Sequence, residues 1–265
     1  MFLINLKEMS VEDEKHKIDG DIQTITTIPS TQYVSGVREI DERCYTKWRI
    51  ESTEIARGYG AVIYQTSGGK VARVTQFNVD EQQEKKKFLR DVHVRSYLQT
   101  ACPDLSITKV DDAFICNDLG VGVTITDRCE NNIMEYMLNL RRCKQMLFLE
   151  FLKTALPTLV KQMHGCGVFH RDLHPGNVLV KGNRIVLTDF EEASGEAFGA
   201  TDRLQSAYFA NDMTSVVTIL EELRAILDYI SGRTTKIDPL ILEESGVDYE
   251  RLTNLREKNA TTRAA

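Results

Sequence analysis

Hydrophobic and polar positions change their period about halfway along the chain. "AVIYQ" (61–65) and "VARVTQF" (71–77) alternate as strands do, and "TKWRI" (46–50) reads as a third, with "RGYG" (57–60) and "TSGGK" (66–70) as the turns between them. The stretch 46–77 is therefore expected to form an antiparallel sheet. A helix follows over 80–100, where Phe88, Val92 and Leu98, with Val94 and Tyr97 nearby, draw an apolar stripe between charged faces. "AFICNDLGVGVTIT" (113–126) predicts two further strands across a turn. From about 131 to 164 the period is helical, and Pro157 is expected to start or kink a helix. "GNVLVKGNRIVLTDF" (176–190) predicts a tight hairpin that turns at Lys181-Gly182-Asn183. Residues 212–230 carry a strong amphipathic helix through Val216, Val217, Ile219, Leu220, Leu223, Ile226 and Leu227. "EKNATTRAA" (257–265) reads as a frayed tail.

This order gives an α+β protein: a β-rich half with one helix, then a helix-rich half. Residues 1–45 are polar and weakly patterned, and form an extension that is partly disordered or packed on the β-rich half. The two halves divide as 46–128 and 129–265, and a cleft between such halves is a natural ligand site. No internal repeat or low-complexity tract interrupts them.

Composition narrows the classes. The chain has 265 residues, 42% hydrophobic and 27% charged, as in a globular protein. Its net charge of −6 argues against non-specific binding to nucleic acid or acidic membranes. No apolar run approaches the ~20 residues of a membrane helix, and "MFLINL" is too short for a signal-peptide core. The six cysteines (Cys44, Cys102, Cys116, Cys129, Cys143 and Cys166) show neither a CxxC pair nor a zinc spacing. They read as reduced thiols, and the protein as intracellular, in cytoplasm or nucleus.

The chemistry concentrates in "GVFHRDLHPGNVLV" (167–180) and in "DF" at Asp189 and Phe190. Phosphoryl transfer needs a carboxylate to orient the attacking hydroxyl and take its proton, and oxygen ligands that hold Mg²⁺ against phosphates. An Asp, an Asn five residues on, and an Asp beyond the next hairpin can supply both. His170 and His164 read as packed scaffold residues rather than catalysts.

His170, Arg171, Asp172, Leu173, Asn177, Asp189 and Phe190 resemble the HRDLxxxN and DFG signature of the protein-kinase superfamily. The resemblance covers about 50–230. It implies a two-lobed fold, with a small antiparallel sheet lobe carrying one helix and a reduced helical lobe. It makes Asp172 the catalytic base and gives the metal to Asn177 and Asp189. His174 stands two residues after the base, where many Ser/Thr kinases have Lys. "DLHPGN" is similar to haspin-like kinases and to phosphotransferases of the aminoglycoside and choline kinase type. Arg171 is placed to meet a phosphate in the activation segment or to brace the loop.

The glycine loop is reduced to Gly58, Tyr59, Gly60 and Val62, which the resemblance assigns to the nucleotide together with Asp127. Arg73 is the first candidate for the phosphate-holding Lys, and Lys70 the second. Asp91 takes the place of that lysine's Glu partner, so a Lys–Glu pair becomes Arg73–Asp91. Glu191 replaces the DFG glycine. Asp212 resembles the buried Asp that supports the catalytic loop; the alternative is an Asp favoured by a helix N-terminus. The segment 189–211 would be the activation segment, and no A-P-E follows it. The resemblance implies an ATP-dependent protein kinase that uses Mg²⁺ or Mn²⁺ and acts on Ser/Thr hydroxyls of a protein substrate. The alternatives are a small-molecule phosphotransferase and a pseudokinase that binds without turnover.

Overall fold

Cross-strand pairs sort the first half of the chain into two faces. The computed structural model describes residues 32–34, 37–40, 50–58, 60–66, 68–77, 81–195, 198, 200–245 and 247–264. Its contacts divide the chain into two units: Met1–Thr100 with Thr108–Arg128, and Ala101–Ile107 with Cys129–Ala265.

In the first unit, β1 (Gln32–Val34), β2 (Val37–Ile40), β3 (Ile50–Arg57), β4 (Ala61–Thr66), β5 (Lys70–Gln76), β6 (Val110–Cys116) and β7 (Val121–Asp127) form one sheet in the order β1-β2-β6-β7-β5-β4-β3. β3 through β7 pair antiparallel, whereas β2 runs parallel to β6, so the sheet is mixed rather than wholly antiparallel. Partners across a ladder share a face. Val62, Val74, Val123 and Phe114 stand in one row and belong to one buried cluster. Ile63, Arg73, Thr124 and Ala113 stand in the row on the other face. There Ala113 and Ile115 pack with Phe88 and Val92 of helix α1 (Glu81–Ala101). The helix lies close because Gly122 is bare: a Cβ there would meet the Phe88 ring at 2.7 Å.

The second unit is helical. α2 (Ile133–Asn139) precedes α3 (Arg142–Gly165), whose Leu149, Leu152, Leu156, Val160 and Met163 recur at helical spacing and are buried. Short strands follow: β8 (Val168–Phe169), then the hairpin β9 (Val178–Lys181) and β10 (Arg184–Leu187), then β11 (Ser194–Gly195), which pairs with β8. α4 (Asp202–Ile230) buries Val216, Ile219, Leu223, Ile226 and Ile230. α5 (Pro239–Ser245) and α6 (Tyr249–Ala264) complete the chain. Each fully buried Leu or Ile on these faces contributes about 1.5–3 kcal/mol.

Several local expectations are corrected. The described first strand of the hairpin runs Ile50–Arg57, further along the chain than expected, while 46–49 lie outside the described residues; residues 53–57 of this edge strand are exposed, so no apolar alternation marked them. Pro157 starts no helix, since α3 runs through it from Arg142 to Gly165. α4 begins at Asp202, not at 212, because its first turns are mostly exposed and show no apolar period. The tail over 257–264 is helical: Leu252 is buried, and Asn259 Nδ2 donates to the Ile230 carbonyl at 3.1 Å. Tertiary packing supplied what the local sequence lacked.

The cysteine reading is also overturned. Cys102 and Cys166 form a disulfide across 64 positions, and Cys116 is disulfide-bonded as well. Neither Cys129 nor Cys143 is disulfide-bonded. The intracellular expectation loses the support it took from reduced cysteines. Among the described residues, no helix is long and apolar enough to cross a membrane.

Candidate active site

The stretch from His170 to Asn177 is held in place by Asp212. Positions 170–172 follow β8, and Arg171 takes a positive φ of 69°. Such a conformation costs about 1–3 kcal/mol and needs outside support. Asp212, itself buried, supplies it. Its Oδ2 accepts from the His170 amide at 2.8 Å and its Oδ1 from the Arg171 amide at 2.8 Å. His164 Nε2 lies 2.8 Å from the same Oδ2. Asp212 is the eleventh residue of α4, so the helix-terminus alternative does not apply to it.

Asp172 follows this anchor and is exposed. A 3₁₀ turn (Pro175–Asn177) then brings Asn177 back, with the Gly176 amide donating to His174 Nδ1 at 3.2 Å. Asn177 is buried; its Nδ2 donates to the Asp172 carbonyl at 2.9 Å and stands 3.5 Å from Asp172 Oδ2. That contact engages Nδ2 and leaves Oδ1 as the atom through which the amide could act as a ligand.

Asp189 is tied to the same loop through its neighbour. The Thr188 amide donates to the Asn177 carbonyl at 3.1 Å, and the Thr188 carbonyl accepts from His170 Nε2 at 2.9 Å. Asp189 then turns at φ 63°. Phe190 is fully buried, with its ring 4.8 Å from that of His170. Burial pushes the His170 imidazole well below its usual range; the Thr188 bond and the nearby Asp212, Asp189 and Asp172 charges oppose this. A neutral His170 with its proton on Nε2 satisfies the Thr188 carbonyl. Arg171 braces the segment beyond: its guanidinium donates to the Glu192 carbonyl at 3.1 Å and lies 4.5 Å over the Tyr208 ring.

The donor set suits a hard cation. Among the described residues, no cluster of three or more His, Cys, Asp or Glu side chains could hold a metal ion unaided. One amide oxygen and one carboxylate are what Mg²⁺ takes when phosphates and water complete its shell.

The nucleotide candidates lie in the first unit, and their placement separates them. Arg73 Nη1 is 3.8 Å from Asp91 Oδ2, and Asp91 is buried. The same carboxylate also bonds Arg95, a buried arginine one turn on that reaches the Thr108 hydroxyl at 3.3 Å. Sequence reasoning missed Arg95; the i,i+4 spacing from Asp91 was its one available signal. Lys70 bonds Asp127 at 2.5 Å and Asp111 at 2.8 Å, and these bonds, Asp111 first, raise its pKa. Asp127 is therefore engaged with Lys70. Val62 faces the buried cluster on the side of the sheet opposite Arg73. The Gly58 amide donates to the Ala61 carbonyl at 2.8 Å, and the Gly60 carbonyl accepts from Gln76 at 3.1 Å. Tyr59 lies outside the described residues.

No family model matches the chain. A stretch of 86 residues is 33% identical to a probable serine/threonine-protein kinase of Encephalitozoon cuniculi. The match covers 30% of this chain and 16% of that protein, so the chain spans about a sixth of the relative's length. It supports a kinase-like relationship.

Proposed function

We propose that this protein is an ATP- and Mg²⁺-dependent phosphotransferase, a protein kinase that acts on Ser/Thr hydroxyls. The observation that carries the reading is the Asp172–Asn177 contact on a loop whose amides are held by buried Asp212. Asp172 orients the attacking hydroxyl and accepts its proton. Asn177 Oδ1 and the Asp189 carboxylate hold the cation, which when bound neutralises charge on the phosphates. His174 is exposed two residues after the base, within the same loop. Arg73, set by Asp91, takes the phosphates. Gly58 and Gly60 serve the nucleotide as well, since neither carries a side chain that would keep a phosphate from the backbone. The relative's name favours a protein substrate over a small molecule.

The test is incubation of the full chain with labelled ATP and Mg²⁺, with generic protein substrates and with itself, beside Asp172→Asn. Label on protein in the wild type alone is the expected result. Label on neither, with ATP·Mg²⁺ still bound, would overturn the protein-kinase reading.

A further inference from the structure

The disulfide sits where both arms of the candidate site begin. Cys166 caps the C-terminal end of α3, four residues before His170 and six before Asp172. Between them, β8 is pressed against β11 so tightly that a Cβ on Gly195 would fall 1.9 Å from the Gly167 carbonyl oxygen. Cys102 opens the segment that reaches Ile107, and this segment runs along β10. Leu105 and Ile107 are buried, the Leu187 amide donates to the Ser106 carbonyl at 3.0 Å, and Ile107 bridges Leu187 in parallel. Leu187 stands two residues before Asp189. The Cys102–Cys166 bond, Cα to Cα 6.4 Å, thus ties the strand that delivers Asp189 to the turn that delivers Asp172. Both cysteines are half-buried, so a small reductant has access.

We propose that this disulfide is a redox latch on the catalytic loop: closed, it holds Asp172 and Asp189 in register, and opened by a dithiol, it slows transfer. The rate effect rests on the phosphotransferase reading; the effect on the loop does not. In the opening step one thiolate of the dithiol attacks a cysteine sulfur and forms a mixed disulfide. The second thiolate then resolves it. The dithiol leaves as its own disulfide, oxidised by two electrons, while Cys102 and Cys166 take up two electrons and two protons as thiols.

The experiment uses the full chain, oxidised and after treatment with a small dithiol, with Cys102→Ser/Cys166→Ser beside it. Amide hydrogen exchange is read first. On reduction, the Arg171 and Leu187 amides should lose about tenfold protection while the core amides of α4 keep theirs. Equal loss throughout, or none, would overturn the latch and leave a staple or an idle bond. In the transfer assay, reduction should lower kcat about fivefold or more with the KM for ATP within about twofold, and re-oxidation should restore it. The double variant should run at the reduced rate without responding to dithiol at the loop; any remaining response reports the disulfide at Cys116. A wild type that keeps its kcat on reduction, or a double variant that responds as the wild type does, would refute the proposal. If no state transfers phosphate, the phosphotransferase reading fails and hydrogen exchange alone decides the latch.

Discussion

Asn177 holds Asp172 by its backbone: the Asn177 Nδ2 donates to the Asp172 carbonyl at 2.9 Å, and the Asp172 carboxylate lies within 3.5 Å of the same nitrogen. One side chain therefore sets the proposed base and presents a proposed metal ligand. Asn177→Asp separates the two roles, since it keeps a ligating oxygen but replaces the donor with a charge facing two oxygens. We expect kcat to fall about a hundredfold with the fold retained. Steady-state rates and a melting curve check this; near-normal turnover would show that the donor does not position Asp172.

Asp212 carries the strain of the loop. Its two oxygens accept from the His170 and Arg171 amides, which have no other acceptor among the described contacts, and it also meets His164. Asp212→Ala should cost about 3 kcal/mol or more, the penalty of leaving buried donors unmatched. Asp212→Asn retains one acceptor and should cost less. Urea unfolding of the two variants measures the difference; a loss below about 1 kcal/mol in the alanine variant would mean that the amides find other partners.

Where periodicity and chemistry agreed, the sequence was readable. Leu152, Leu156, Leu223 and Ile226 announced their helices, and the order His170, Asp172, Asn177, Asp189 announced a loop and a hairpin. What escaped depended on distant contacts. Nothing local marks Cys102 for Cys166 across 64 positions. The exposed first turns of α4 and the polar edge strand β3 carry no apolar period. Val62 was read from a glycine-loop pattern, but face assignment in a strand turns on a one-residue register, and the ladder pairs Val62 with Val74, leaving Ile63 opposite Arg73.

Arg73 and Lys70 can be told apart by substitution. Arg73 stands beside buried Asp91, and Lys70 is committed to Asp111 and Asp127 at the end of the sheet. Arg73→Ala should raise the KM for ATP about tenfold or more. Lys70→Ala should leave it within about twofold and cost no more than about 1 kcal/mol of stability, as for other part-exposed ion pairs. Steady-state rates at varied ATP read the KM of both variants and urea unfolding reads the stability of Lys70→Ala; the reverse order of KM would move the phosphate-holding role to Lys70.

His170 predicts a pH dependence of stability with a definite sign. Burial lowers its folded pKa, so the native state binds fewer protons than the unfolded chain wherever the free imidazole is charged. Its contribution is fully present above the unfolded value of about 6.5 and is lost as pH falls from there toward the lower folded value. His170→Gln keeps a donor for the Thr188 carbonyl but cannot titrate. The urea midpoint of the wild type should drop relative to that of the variant as pH is lowered through about 6.5, with a constant difference above about 7. A wild-type midpoint that fell relative to the variant's as pH rose through about 6.5 would require a charged imidazole in the native state, and the Thr188 bond would then belong to an imidazolium.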